Sequence, residues 1–329
     1  MKQLFTLTFL IVSTTLSAQE TEEVSEKKFS VTGSLDAYFR TNLTASDTIT
    51  QSPASFADQT GFALGMANVI ASYENGKVGA VADLVFGPRG DQAVGSDALY
   101  VNQLYAYWNL SKKTTLTFGR FNTFLGYEVI SPTGNFNYST SYLFASGPFS
   151  HVGLKADFEL SDDFSLMLAV MNPTDTNNNA TGDYAFGAQL GYSGQYLNLY
   201  YDSKAVLGFE IDYTGGFDIS DDFYLGINAA YQDNDGTGFY GGTLYPQYRF
   251  NETFALGFRG EYFAWHGDGN DLPSAFDLTL TGSYSVDDLT IKPEIRFDSW
   301  SNATPFYDSD YMPTESLASF VVAAIYNFN

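Results

Sequence analysis

The sequence predicts an all-β chain: a transmembrane, antiparallel up-and-down β-barrel of about 16 strands. Three observations carry this. Period-two segments recur along almost the whole chain, their connections largely alternate between short and long, and charged residues fall on one parity of each strand. A closed barrel satisfies all three, because its strands hide an apolar half by alternation and need no long apolar run.

The first element is an address. Residues 1–18 read as a secretory signal, with Lys2 in the basic region, an apolar Leu4–Val12 and a small-residue end at Ser17-Ala18. The stretch is too short to cross a bilayer as a helix. Residues 19–28 form a short acidic periplasmic linker, and the barrel takes up residues 29–329.

The strands follow as 29–40, 62–74, 77–87, 99–110, 114–124, 150–160, 164–172, 184–193, 196–202, 206–219, 223–233, 239–250, 253–265, 276–286, 289–299 and 315–328. Most approach the ~9–11 residues of a tilted membrane strand. The count is good to about two, since 196–202 and 206–219 could merge. Short turns include Asn75-Gly76, Ser161–Asp163, Gly194-Gln195, Ser220–Asp222 and Asp287-Asp288. Long loops include Thr41–Gly61, Pro88–Ala98, Leu125–Phe149, Pro173–Asp183 and Trp300–Thr314. A turn motif repeats: Leu160-Ser161-Asp162-Asp163-Phe164, Ile219-Ser220-Asp221-Asp222-Phe223, Phe250-Asn251-Glu252-Thr253-Phe254 and Val286-Asp287-Asp288-Leu289, spaced 59, 31 and 35 residues apart at the final residue. Such a period is two strands and their connections, and an even count puts both ends on the short-turn, periplasmic side.

Charge assigns the faces, because Arg or Lys facing lipid at the midplane costs ~2–4 kcal/mol. In 289–299, Leu289, Ile291, Ile295 and Phe297 oppose Lys292, Glu294, Arg296 and Asp298. In 253–265, Phe254, Leu256, Phe258 and Tyr262 oppose Arg259 and Glu261. In 206–219, Leu207, Phe209, Ile211 and Tyr213 oppose Glu210 and Asp212, and 150–160 sorts Lys155, Asp157 and Glu159 against Val152, Leu154, Ala156, Phe158 and Leu160. Arg120 breaks the rule by sharing parity with Leu116 and Phe118, so either a bulge at Gly119 shifts the register or Arg120 sits at a rim.

Composition narrows the function. The 329 residues hold Lys+Arg 15 and Asp+Glu 38, a net charge of −23, which excludes a general nucleic-acid binder. No cysteine is present, so there is no thiolate metal site and no lipoprotein anchor. With 44% hydrophobic and 17% aromatic residues, 24 Tyr, 29 Phe and 30 Gly, the chain is no disordered polymer.

The last strand, with Phe320, Val322, Ala324, Tyr326 and Phe328 on one face, resembles the C-terminal recognition strand read by the barrel-assembly machinery, except that Asn329 follows the aromatic. Ser55-Phe56-Ala57-Asp58-Gln59-Thr60-Gly61-Phe62 leading to Ala67-Asn68-Val69, and Gly119-Arg120-Phe121-Asn122-Thr123-Phe124-Leu125-Gly126-Tyr127-Glu128 continuing to Ser146-Gly147-Pro148-Phe149, resemble the OmpL-like β-barrel porins of Gram-negative outer membranes. The Gly-Arg-Phe…Gly-Tyr-Glu pattern more weakly resembles phosphate-selective porins, whose lysine-rich arms have no counterpart here. The resemblance spans nearly the whole mature chain and implies passive diffusion across the outer membrane.

About 16 strands enclose an aqueous channel rather than a filled core. The inward parities give Asp36, Arg40, Asp83, Lys155, Asp157, Glu159, Glu210, Asp212, Arg249, Arg259, Glu261, Asp277, Lys292, Glu294, Arg296 and Asp298. Mixed signs predict a general pore for small polar solutes or ions, with acid in excess and a slight cation preference. The long, aromatic, charge-poor stretch 125–149 either folds into the lumen, with Glu128 at a constriction and Arg120 nearby, or caps the barrel outside. Ser150/His151 and His266/Asp268 lack an orienting third group for catalysis. Asp233-Asn234-Asp235-Gly236 and Asp268-Gly269-Asn270-Asp271 read as turns rather than complete calcium loops. No cofactor or metal is expected; the partners are outer-membrane lipid, the assembly machinery and solutes. Monomer and homotrimer both remain open, because a trimer face would be as apolar as the lipid face. The alternatives are a non-conducting scaffold or adhesin, and a rim-active hydrolase.

Overall fold

The computed structural model describes residues 27–48, 56–95 and 98–328. The signal and most of the acidic linker lie outside them. Sixteen strands close one antiparallel barrel: β1 (Lys28–Asn42), β2 (Gly61–Asn75), β3 (Val78–Phe86), β4 (Val101–Ser111), β5 (Thr114–Asn122), β6 (Ser150–Glu159), β7 (Phe164–Met171), β8 (Ala185–Tyr192), β9 (Gln195–Tyr201), β10 (Phe209–Asp218), β11 (Phe223–Asn234), β12 (Thr237–Arg249), β13 (Phe254–His266), β14 (Ser274–Val286), β15 (Leu289–Ser301) and β18 (Ser316–Phe328). Each strand pairs with its sequence neighbours, and β1 closes on β18 from Gly33–Phe328 to Asn42–Ser319. The segments 196–202 and 206–219 stay separate as β9 and β10, paired from Phe209–Tyr201 to Thr214–Tyr196.

The repeated turn motif has one physical cause. Ser161 Oγ accepts from Phe164 N, Ser220 Oγ from Phe223 N (3.1 Å each), and Asn251 Oδ1 from Phe254 N (2.9 Å). In each the residue before the polar one closes the strand end by donating its N–H to the same Phe carbonyl. The polar side chain replaces a backbone partner, the usual work of Ser and Asn in turns. The fourth copy tightens to Asp287-Asp288 alone, with Asp287 left-handed at φ 50.

Long loops are more structured than their sequence suggests. α1 (Pro88–Val94) lies in the second, α2 (Tyr142–Ser146) in the third, and the ribbon β16 (Phe306–Tyr307)–β17 (Pro313–Thr314) in the last. Leu207, assigned outward with Phe209, precedes β10 and is instead buried with Met167, Met171 and Tyr200.

The predicted faces hold on β15, where Ile295 and Phe297 are 50% and 42% exposed and Glu294 and Arg296 are 1% and 4%. Outward side chains of β14, Phe276, Leu278 and Leu280, are as exposed, and Asp277, Thr279 and Thr281 are buried. An apolar outer wall is stable against hydrocarbon, and the sealed ladder leaves no edge. Leu280 stands at the centre of β14. Leu280→Arg is expected to lower stability by ~2–4 kcal/mol in denaturant titrations of barrel refolded into vesicles.

Candidate functional site

The lumen is occupied. The chain from Thr123 to Phe149 leaves β5 and crosses the interior before entering β6, so of the two placements open to it the loop takes the inner one. Carboxylates on the wall hold its amides. Glu294 accepts from Tyr138 N (2.7 Å) and Ser139 N (3.0 Å). Glu261 accepts from Tyr142 N (2.8 Å) and Leu143 N (2.7 Å), at the first turn of α2. Asp212 accepts from Gly126 N (3.0 Å). Cations hold its carbonyls: Lys292 Nζ donates to Pro132 O (3.1 Å) and Asn135 O (2.5 Å), Arg259 Nη1 to Ser139 O (2.5 Å), and Arg296 Nη1 to Thr140 O (2.6 Å). Such charge-assisted bonds are roughly twice as strong as neutral ones. A loop inside a barrel needs them, because its backbone loses water and finds no strand partner.

The wall charges also bind one another. Glu128, brought in by the loop, pairs with Arg259 (3.0 Å); Arg259 pairs with Asp277 (2.8 Å), Asp277 with Arg296 (2.8 Å) and Arg296 with Asp298 (2.8 Å). The five form one continuous chain, all nearly inaccessible to solvent. Tyr138 and Tyr142 donate their hydroxyls to Asp36 (2.5 Å) and Asp298 (2.8 Å). Burial pushes both phenols above the ordinary tyrosine range, so each remains a donor.

Among the predicted residues, Asp36, Glu128, Arg259, Glu261, Lys292, Glu294 and Arg296 therefore converge on one loop. Arg40 joins from β1, donating to Ala57 O (2.6 Å) in the first loop. Lys155 and Asp157 face each other at 3.2 Å and are only half-buried. Glu210 is 2% exposed, and its Oε2 has no hydrogen-bond partner among the described residues. Arg249 lies at the short-turn rim, exposed, against Asp222 (3.8 Å). Arg120 does not accompany Glu128. Its strand keeps register through Gly119, and near the long-loop end its Nε donates to Asn102 O (3.1 Å) and its Nη1 to Asn177 (2.6 Å), so it has the rim position.

Sequence parity missed Arg89, because it belongs to no strand. From α1 it donates to Ile130 O (2.7 Å) and Tyr138 O (3.1 Å), between the rings of Phe56 and Tyr138. Its place between Pro88 and Gly90 at the start of a long loop was the available signal.

The candidate catalytic pairs do not assemble. Ser150 donates to Asp175 (3.1 Å), whereas His151 turns to Thr123 (3.0 Å) on the opposite face. Burial raises the Asp175 carboxyl. His266 stacks on Tyr231 and contacts Gln232 O (2.7 Å). Asp235, Gly236 and Asp271 adopt left-handed backbone, as the turn reading of those Asp-rich segments requires.

Removing Arg259 strands Glu128 and Asp277 away from water. Arg259→Leu is expected to cost ~3–5 kcal/mol, read as a drop in denaturant midpoint.

The comparisons with known proteins agree with this architecture. The anion-selective porin from Comamonas acidovorans superposes with a TM-score of 0.60 at 10% identity, covering 92% of this chain and 100% of that one. The trimer form of in-vitro-folded OmpT from Vibrio cholerae gives 0.53 at 11%, covering 92% and 99%. A multiple mutant of the Rh. blastica porin gives 0.51 at 13%, covering 92% and 100%. No curated protein matches the sequence. The family described as "Putative beta-barrel porin-2, OmpL-like" matches residues 28–328, the entire described barrel, and this chain belongs to that OmpL-like β-barrel porin family.

Proposed function

We propose that the protein is an outer-membrane porin through which small hydrophilic solutes or ions diffuse passively, past a constriction formed by the 123–149 loop. The carrying observation is that loop: a 16-stranded barrel encloses it, and wall charges fix its position. On this reading residues 1–18 are a removed signal, residues 19–28 a periplasmic linker, and β18 the strand read by the assembly machinery. The pore-lining set is Asp36, Arg40, Lys155, Asp157, Glu210, Arg259, Glu261, Lys292, Glu294 and Arg296, with Glu128 on the loop and Arg120 and Arg249 at the two rims. No catalysis and no cofactor enter the mechanism.

A slight cation preference follows from the excess of acid over base on the wall, where the inward positions named above carry ten acids against six bases. Arg259 and Arg296 are matched by acids, and Arg40, Arg120 and Lys292 bind neutral oxygens among the described residues. The short-turn rim adds Asp162, Asp163 and Asp221, while Asp222 faces Arg249. Fixed acidic charge in a narrow passage raises the local cation concentration. Homotrimeric assembly belongs to the same proposal. The trimer form of OmpT supports it, as does a recess of about 540 Å³ on the outer wall, bordered by the small side chains Ala71, Ala80, Ala82 and Ala106. One observation favours a second reading, a non-conducting scaffold: the loop is bonded to several strands at once.

Single-channel recording of signal-free protein in planar bilayers separates the two. Stable open steps with a cation-selective reversal potential are expected, and silence from a folded, heat-modifiable barrel would establish the scaffold. Deleting residues 130–140 should enlarge the steps, and Glu210→Gln should move the reversal potential toward zero; no change in either would remove the loop and the carboxylate from the conduction path.

A further inference from the structure

Below the loop, toward the short-turn end, lies a cavity of about 380 Å³ that none of the charged bonds above requires. Its size falls within the ~300–1,000 Å³ of small-molecule sites. Three rings line it: Tyr127 and Phe136 from the loop and Tyr224 from β11. The wall is cut to receive them. A Cβ on Gly226 would collide with Tyr127, and one on Gly257 with Phe136, so the loop rings lie against bare backbone. Tyr127 also stacks on Tyr245 (4.4 Å between centroids, 19° between planes) and donates to the Tyr224 hydroxyl (3.3 Å). Both loop rings are thereby fixed in place before any ligand arrives.

The remaining lining is neutral and able both to donate and to accept. Gln247 and Asn327 contribute amides, Ser283 and Thr290 hydroxyls. Among the described residues Lys292 is the one formal charge at the cavity, and its ammonium is already committed to Pro132 O and Asn135 O. A site with ring faces, neutral amides and hydroxyls and no free charge suits a molecule with apolar faces and hydroxyl edges. Anions and cations would each lose hydration there without a counter-charge.

We infer that this cavity is a binding site for neutral saccharides, entered from the short-turn end. The inference rests on the porin reading, for it names the solute class held beside the constriction. Aromatic faces take the C–H side of a sugar ring and the amides take its hydroxyls, which gives weak, reversible binding of the kind a diffusion pathway tolerates.

Isothermal titration calorimetry of the detergent-folded barrel with maltotriose tests it, alongside single-channel recording with the same sugar and with polyethylene glycol of equal hydrodynamic radius. Saturable heat is expected, with current interruptions by maltotriose from the short-turn side that the glycol does not produce. Tyr224→Ala should weaken binding about tenfold, the scale of one aromatic contact. Gln247→Leu should weaken it as well, and serves if the first variant does not fold. Absence of heat, or equal blocking by sugar and glycol, would overturn the site. Saccharide heat from a barrel that never conducts would uphold the site and overturn the diffusion reading instead.

Discussion

The structure depends on how charges are kept away from water inside a barrel. The chain Glu128–Arg259–Asp277–Arg296–Asp298 is buried throughout. An isolated ion in such a place would cost several kcal/mol. Here each has an opposite neighbour, and Nη1 of each arginine binds a carbonyl of the loop. The wall and the loop therefore solve each other's problem. The wall supplies acceptors and donors to a backbone whose one regular piece is the short helix α2, and the loop supplies the acid and the carbonyls that the arginines need.

This reciprocity explains the mixture of signs. A wide aqueous channel could be lined with almost any polar residue, because water would satisfy it. A lumen crossed by 27 residues of its own chain has less water to offer, so the wall must match a particular backbone. The acids at Glu261 and Glu294 each grip two consecutive amides, a geometry set by the loop and not by a passing solute. Glu210, 2% exposed and with an unpartnered oxygen, stands apart from that scheme.

Much of this was legible in the sequence because alternation is a local rule. Lys292, Glu294, Arg296 and Asp298 could be turned inward by parity alone, and the Ser-Asp-Asp and Asn-Glu-Thr turns could be found because one side chain closes each of them. What parity could not give was partnership. Arg120 and Glu128 lie eight positions apart in a shared motif. Yet Arg120 is at the rim on Asn177, while Glu128 is carried to Arg259, 131 positions on. Arg89 escaped notice because a helix inside a loop has no period-two face. The inward list also pictured an open wall. Most of its members prove to be covered, since parity reports the side of a strand and not what lies against it.

The order in which the partners are made has a further consequence. Barrel strands pair with the next barrel strand in the chain everywhere except at the β1–β18 seam, β15 reaching β18 past the β16–β17 ribbon. The loop is different: Tyr138 reaches back 102 positions to Asp36, and its amide reaches forward 156 to Glu294. Docking the loop is thus a long-range event, exceeded by the seam and by the contacts of the first and last loops beside it, and the entropy of such closure has to be met before the contacts reward it. The loop cannot settle until β13 to β15 exist, and once the seam shuts it has little way out. The barrel closes around its own contents, so an error in placing them would be sealed in rather than corrected from outside.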